Sequence, residues 1–141
     1  MSKVGQITEN YGTTKTNFFS DLFNDFSRHA QTGELNRKTN EWAVKQSVRN
    51  LLLTNKGERL FQPTVGSNLK ALLFENATPF IHQMLHDYIL ETIDNHEPRA
   101  EFLFADLNFD HDRNSANIDV TFMIINTGVQ ATLPLFIERT R

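Results

Sequence analysis

A chain of 141 residues, of which 39% are hydrophobic, is long enough to fold as one domain around a single core. The net charge of −3, with no long basic run, argues against a surface that neutralises nucleic-acid phosphates. The chain has no cysteine, so disulfides and thiolate metal sites are excluded and a reducing compartment is expected. The sequence contains neither a signal-peptide h-region nor an apolar stretch long enough to span a bilayer, so neither secretion nor membrane insertion is predicted.

The N-terminal part of the chain is predicted to lack regular structure. Residues 1–17 are polar, show no hydrophobic period and are expected to form a flexible arm. The aromatic and aliphatic side chains of residues 18–33 are expected to dock in short irregular pieces that end at Gly33. Residues 18–141 are predicted to form a single domain.

The middle of the chain has the spacing of helices. Val44, Val48, Leu51 and Leu52 fall on one face of a helix that is predicted to run from about residue 40 to residue 54. A loop then follows, and Ser67 is well placed to cap a short helix. This second helix would carry its leucines on one side: Leu69, Leu72 and Leu73.

A longer helix is predicted after Thr78, which suits the N-cap, and Pro79, which suits the first helical position because its missing N–H would have no partner there. Pro98 disfavours helical backbone at the residue before it, so the helix should end near Asn95. Its apolar stripe has helical spacing: Ile81, Met84, Leu85, Tyr88, Ile89 and Ile93.

After Pro98 the hydrophobic period changes to two. The even positions from 118 to 124 are apolar and the odd positions between them are mostly polar, which is the pattern of a half-buried strand. Residues 101–109 and 132–137 are predicted to be its partner strands. The predicted fold class is therefore α+β, with two or three helices packed on a small antiparallel three-stranded meander. Pro134 cannot donate to a ladder, which predicts that the last strand lies at an edge.

A metal site is not predicted, although His82 and His86 lie one helical turn apart. The spacing is that of the H-E-x-x-H zinc motif, but Gln83 stands at the second position, where the motif has its general base, and cannot accept a proton from a metal-bound water. A histidine pair without a third ligand is a weak signal.

Glycoside hydrolysis is the enzymatic alternative. It requires two carboxyl groups that face each other across a cleft, one of them with a raised pKa. Candidates by residue type lie around the end of the long helix: Glu91, Asp94, Glu97 and Glu101. Their spacing does not fix a separation between carboxyl groups, so catalysis is not the preferred interpretation.

The sequence Glu97-Pro98-Arg99 has two interpretations. In one it is a structural turn, in which Arg99 pairs with a nearby acid such as Glu101 or Asp94. In the other it is a recognition corner, where a carboxylate and a planar guanidinium on a stiff turn lose little entropy when they engage a partner. The residues alone favour neither.

Three parts of the sequence, with the strands that follow, resemble a known family. The segments "QSVRNLLLTNKGERLFQPTVGSNLKALLFENATP", "SDL" and "EPR" are similar to the small baseplate wedge subunit of T-even-type contractile phages. The same family includes the small baseplate subunit of type VI secretion systems and was once labelled lysozyme-like. The similarity extends from about Phe19 to Ile137.

The resemblance implies a structural protein of the tail baseplate in a virion, assembled in the host cytoplasm, with no catalytic residue, cofactor, metal, nucleic acid or membrane partner. Glu97, Pro98 and Arg99 would hold the larger wedge proteins. The sheet would be offered to the tail sheath protein and template its first ring, with the tail tube as a further candidate partner. The sheet residues assigned to this contact are Ile118, Val120, Phe122, Leu133, Leu135 and Ile137. The alternatives are a peptidoglycan-cleaving glycosidase and a secretion-system baseplate adaptor.

Overall fold

Helices and strands follow one another in residues 18–73, 80–110 and 115–138, which are the residues that the computed structural model describes. Their bounds are β1 Ser20–Leu22, β2 Arg37–Thr39, α1 Glu41–Leu53, α2 Leu69–Leu73, α3 Ile81–His96, β3 Ala100–Asp110, β4 Ser115–Ile124 and β5 Val129–Glu138. The predicted arm of residues 1–17 and the predicted helix start at Thr78 and Pro79 lie outside the described residues.

Strands β3, β4 and β5 form an antiparallel meander in that order, so β4 is central and β3 and β5 lie at the edges. β3 pairs with β4 over its whole length, with one shift of register between Phe102 and Phe104. β5 pairs with β4 over its whole length. The predicted α+β class, the three-stranded meander and the edge position of the strand that contains Pro134 are confirmed.

The core lies between this sheet and the helices. α3 packs on β3, α1 packs on β5, and the two helices contact each other. Alternate side chains of the central strand point into the core because successive residues of a strand face opposite sides of the sheet. The largest fully buried side chains come from both layers: Phe122, Leu52, Leu69, Leu72, Leu85, Ile89, Ile93, Ile118, Ile124, Leu135, Val44 and Val48.

The helices agree with the sequence patterns where the structure describes them. The first was predicted over residues 40–54 and is observed at Glu41–Leu53. Ser67 precedes α2 as predicted, and its Oγ accepts a hydrogen bond from the N–H of Leu69 at 3.5 Å while it donates to the carbonyl of Leu52 at 2.6 Å. α3 ends at His96, immediately before Glu97 and Pro98.

A two-stranded ribbon precedes the helices, and the sequence did not predict it. β1 and β2 pair antiparallel, with Ser20 opposite Thr39 and Leu22 opposite Arg37. The expectation that residues 18–33 would be irregular throughout was therefore wrong for β1. Strands of three residues are too short to show a period of two. In the described ranges, no helix is both long enough and apolar enough to cross a membrane.

Candidate partner-binding surfaces

The corner between α3 and β3 is formed by Glu97, Pro98 and Arg99. The N–H of Glu97 donates to the carbonyl of Ile93 at 2.8 Å, and the carbonyl of Glu97 accepts from the N–H of Ala100 at 3.1 Å. Pro98 has no N–H and keeps Glu97 away from helical backbone. The helix therefore stops at a fixed residue, and the chain enters β3 through a short, hydrogen-bonded turn.

Arg99 binds Glu97 with two parallel hydrogen bonds. Its Nε donates to Oε1 of Glu97 at 2.6 Å and its Nη2 donates to Oε2 at 2.9 Å. The side chain of Glu97 is only 3% exposed, whereas that of Arg99 is 24% exposed. Both carboxylate oxygens are thus bound by an internal partner, whereas Pro98 is exposed and the Arg99 side chain is partly exposed.

Arg99 also anchors the N-terminal ribbon. Its Nη2 lies 3.4 Å from Oδ2 of Asp21, in the middle of β1, and its Cζ lies 5.5 Å from the ring centroid of Phe19. The guanidinium is therefore held by a carboxylate on each side and by the face of an aromatic ring. One residue connects β1 with the junction of α3 and β3.

The electrostatics of the corner favour the charged pair. Burial by itself would raise the pKa of Glu97, but hydrogen bonds from Arg99 and Ser47 and the positive charge of Arg99 outweigh it and lower this pKa below its usual 4.5. The hydrogen bond to Glu97 raises the pKa of Arg99, also against the effect of burial. Both groups are therefore ionised at neutral pH.

These contacts revise one of the two interpretations of the corner. Arg99 does pair locally, but with Glu97 and Asp21 and not with Glu101 or Asp94, which were the acids expected from the sequence. Glu97 cannot at the same time present its carboxylate to a partner. Its contribution to any docking is to position Arg99.

The six sheet residues assigned to a sheath contact have buried side chains: Ile118, Val120, Phe122, Leu133, Leu135 and Ile137. They pack in the core, so they cannot be a side-chain surface for another protein. The first three lie on β4, whose main chain is paired on both sides. For these three the assignment is corrected, because neither side chain nor main chain is accessible. Leu133, Leu135 and Ile137 lie on the edge strand β5, but their main-chain groups face β4, so the open edge is formed by the alternate residues and the assignment of these three is corrected too.

The outer edge of β5 is unpaired in the described part of the chain. Its ladder with β4 continues without a shift through the pair Asp119↔Pro134, which a proline permits only where its nitrogen faces away from the neighbouring strand. The N–H groups of Thr132 and Phe136 therefore face outward too, because alternate residues of a strand share a direction. This edge can accept a further strand.

Two of the four carboxylates considered for catalysis are bound in ion pairs. Glu97 is bound to Arg99, and its lowered pKa is the opposite of what a general acid requires. Glu91 is half exposed and its Oε1 lies 3.1 Å from Nζ of Lys56. No group of three or more potential metal ligands occurs among the described residues, and neither His82 nor His86 has acquired a third ligand there.

Asp21 is the residue of the corner that reasoning about motifs missed. It is 78 residues away from Arg99 in the sequence, so no local spacing connects them. The segment "SDL" contains Asp21 and was part of the resemblance, which is the one signal that could have identified it. Phe19 and Ser47 complete the corner, and they too lie within the resemblance, which did not single them out.

The fold and the corner lead to a class of protein, the baseplate wedge components of contractile tails. The model of the family "Baseplate wedge protein gp25" matches residues 38–129, and the chain belongs to this family. Baseplate wedge protein gp25 of Enterobacteria phage T4 is 30% identical over 84 residues, which cover 60% of this chain and 64% of that protein. The chain thus matches slightly less than two thirds of the length of this relative.

Three solved structures share the fold. A chain in the baseplate of the anti-feeding prophage has a TM-score of 0.66 and is 27% identical, covering 75% of this chain and 85% of that chain. A Geobacter sulfurreducens protein provisionally described as a tail lysozyme has a TM-score of 0.62 at 20% identity, covering 70% and 89%. A chain of the post-contraction baseplate of pyocin R2 has a TM-score of 0.51 at 17% identity, covering 81% and 98%. The last two likenesses concern the fold alone.

Proposed function

We propose that this protein is a non-enzymatic component of a contractile-tail baseplate that joins two structures. Its corner, Pro98 and Arg99 supported by Glu97, docks on the larger wedge proteins. The open edge of β5 receives a strand of the sheath protein and starts the first sheath ring. The observation that carries the proposal is the Glu97–Arg99 pair, which fixes a partly exposed guanidinium on a short turn.

The geometry of Arg99 supports docking. A guanidinium that is already held in place by Glu97, Asp21 and Phe19 loses little conformational entropy when a partner binds it. Four of its five N–H groups are directed at Glu97 and Asp21, so one N–H of Nη1 is left to donate to a carbonyl or a carboxylate of a partner. A partner would therefore meet a rigid donor beside the flat ring of Pro98.

The edge of β5 supports strand addition. Main-chain hydrogen bonds give affinity without requiring a particular side chain at each position. Such bonds suit a sheath that must stay attached while it contracts. The exposed side chains of Val129 and Phe136 on β5 offer additional apolar area at the two ends of this edge.

A peptidoglycan hydrolase is the weaker candidate. The family is named for a structural baseplate protein. The relative provisionally described as a tail lysozyme is 20% identical and supports only the fold. Within the described residues the most buried carboxylate is neutralised by Arg99, whereas glycoside hydrolysis needs a protonated carboxyl group that is free to face a substrate.

The corner is tested with Arg99→Lys, which keeps the positive charge but loses the planar fork. We expect the variant to remain folded by circular dichroism and to enter reconstituted wedges at least about tenfold less efficiently, the equivalent of one lost charge-assisted hydrogen bond. Arg28→Lys, at an exposed arginine of the N-terminal segment, is the matched control. Wild-type incorporation of Arg99→Lys would contradict docking through this corner.

The edge is tested with Thr132→Pro. This change removes one outward N–H from β5 and leaves the ladder to β4 intact, so the domain should stay folded while baseplates that carry it fail to start a sheath. Thr132→Val is the control, because it retains the N–H and removes the hydroxyl that lies 3.3 Å from Oγ1 of Thr121. The fraction of baseplates that carry a sheath is counted by electron microscopy. A wild-type fraction for Thr132→Pro would rule out strand addition at this edge.

A further inference from the structure

A groove of about 640 Å³ runs beside the edge of β5. One wall is the N-terminal segment, with Phe23 and Lys38, and the other is α1, with Trp42. The floor is the middle of β5: Thr132, Leu133 and Pro134. The same stretch contains the outward main-chain groups described above, so a strand added to β5 would lie in this groove.

The rim of the groove is basic. Lys38, Lys45 and Arg49 line it, against one acid, Asp25. Lys45 is already paired with Glu41, with Nζ 2.6 Å from Oε1. Lys38 lies over the ring of Phe23, with Nζ 4.9 Å from its centroid. Arg49 is exposed on the side of α1 that faces the groove and forms no ion pair with a described residue.

The aromatic wall of the groove is open. Trp42 is 67% exposed in the first turn of α1, and Nζ of Lys45 lies 5.6 Å from its ring. An indole beside an unpaired strand edge offers a large apolar surface, and most of this one is not covered by the described residues. Trp42 and Phe23 therefore provide apolar contacts on the two walls of the groove.

Gln46 also lines the groove, and its amide is fixed. Its Nε2 donates to the carbonyl of Leu22 at 2.7 Å, which ties α1 to β1. Its Oε1 is buried, so it is not open to a segment that lies in the groove.

The geometry points to one kind of occupant. We propose that the groove binds an extended, acidic segment of the sheath protein, which pairs with β5 and places carboxylates against Lys38 and Arg49. The inference rests on the proposed strand addition and adds the chemistry that selects the strand. Alternate side chains of the segment would enter the groove beside Trp42.

Trp42 is the single tryptophan of the chain, so its fluorescence reports on the groove directly. The purified full chain is titrated with three blocked ten-residue peptides: one of alternating threonine and glutamate, one of alternating threonine and lysine, and the acidic peptide with alternate backbone nitrogens methylated. Methylation preserves charge and removes the N–H groups that a ladder needs.

We expect a saturable change in Trp42 fluorescence with the acidic peptide, little change with the basic peptide and a large loss of affinity on methylation. Arg49→Glu should weaken binding of the acidic peptide by roughly tenfold, because an attraction is replaced by a repulsion. Arg28→Glu makes the same charge change outside the groove. It should change the affinity for the acidic peptide by no more than about twofold, through the altered net charge alone.

Several outcomes would overturn the inference. These are equal binding of the acidic and basic peptides, equal binding of the methylated peptide, no effect of Arg49→Glu, or no binding of any peptide. They are separable from failure of the proposed function. If Thr132→Pro blocks sheath initiation while the peptides show no charge preference, strand addition stands and the acidic assignment is wrong. If Thr132→Pro is also without effect, the proposed edge itself is wrong.

Discussion

Asp21 and Arg99 are 78 residues apart in the sequence, and the guanidinium of Arg99 lies 3.4 Å from the carboxylate of Asp21. The contact brings the N-terminal ribbon to the junction of α3 and β3. Because Arg99 also holds the buried Glu97, a single side chain stabilises the corner and ties the ribbon to it. Under the proposed function, a change at Arg99 would therefore affect both stability and docking.

Replacement of Arg99 by alanine is predicted to destabilise the isolated domain by about 3 kcal/mol. The change leaves the buried carboxylate of Glu97 without its cation, and breaking a buried pair from one side is costly. The partial exposure of Arg99 puts the loss at the lower end of the usual range. Urea unfolding followed by circular dichroism measures it.

A double-mutant cycle provides the control for this prediction. Glu97→Gln combined with Arg99→Ala should cost less than the sum of the two single changes, because the second change no longer strands a charge. Strict additivity of the two losses would mean that the pair makes no net contribution. Arg99→Ala is also a poor test of docking alone, which is why Arg99→Lys is preferred for that purpose.

The lowered pKa of Glu97 predicts a pH dependence of stability. The folded state holds the ionised carboxylate more tightly than the unfolded state does, so its contribution is fully present above the unfolded pKa, near 4.5. The contribution is lost as the pH falls from about 4.5 through the folded pKa. Free energies of unfolding measured between pH 7 and pH 3 should fall more steeply for the wild type than for Glu97→Gln. Parallel curves for the two proteins would contradict the assignment.

The parts of the fold that could be predicted are those with a local signal. The alternation of β4 and the apolar stripe of α3 each repeat several times in consecutive residues, so the elements were found with small errors at their ends. β1 has three residues and no repeat. It exists because it pairs with β2 and because Arg99 holds Asp21, and both causes are tertiary.

The candidate sites were predicted less completely for the same reason. An alternating strand identifies two faces, but it does not tell which main-chain edges are free, so Ile118 was assigned to a contact that the central position of β4 excludes. The groove beside β5 is built from residues of the N-terminal segment and α1, and from β5, which lies much later in the chain. Helical spacing places Trp42 and Gln46 on one face of α1, but no spacing predicts that they meet Pro134.

The outer face of the sheet contains a pair of like charges whose removal is predicted to stabilise the domain. Asp106 lies directly opposite Asp119 in the β3–β4 register, and both are exposed. Like charges at facing positions of an antiparallel pair repel each other. Asp119→Asn should therefore raise the free energy of unfolding by roughly 0.5 kcal/mol at low salt, and less at high salt where the repulsion is screened.

Glu34→Gln is the matched control for this prediction, because Glu34 is exposed in the connection between β1 and β2 and faces no other strand acid. Its effect on stability should be close to zero. A loss of stability in Asp119→Asn, or a gain that is the same at low and high salt, would show that repulsion between Asp106 and Asp119 does not destabilise the domain.

Gly66 occupies a position that excludes every other residue. Its φ is +127°, and a Cβ built there would lie 2.5 Å from the carbonyl oxygen of Thr54. That carbonyl accepts the N–H of Ser67 at 2.8 Å, so it cannot move away without loss of the bond that fixes the start of α2. Gly66→Ala should destabilise the domain by at least about 2 kcal/mol, from backbone strain and the clash together.

Gly57 separates these two causes, because its φ is also positive, +89°, but a Cβ there would meet nothing within 4 Å. Gly57→Ala should therefore lose only the backbone contribution, about 1 kcal/mol. Thermal unfolding of the two variants under identical conditions gives the difference. Equal losses would mean that the close approach of Gly66 to Thr54 relaxes in the variant, and that Ser67 is held by its side-chain bond to Leu52 alone.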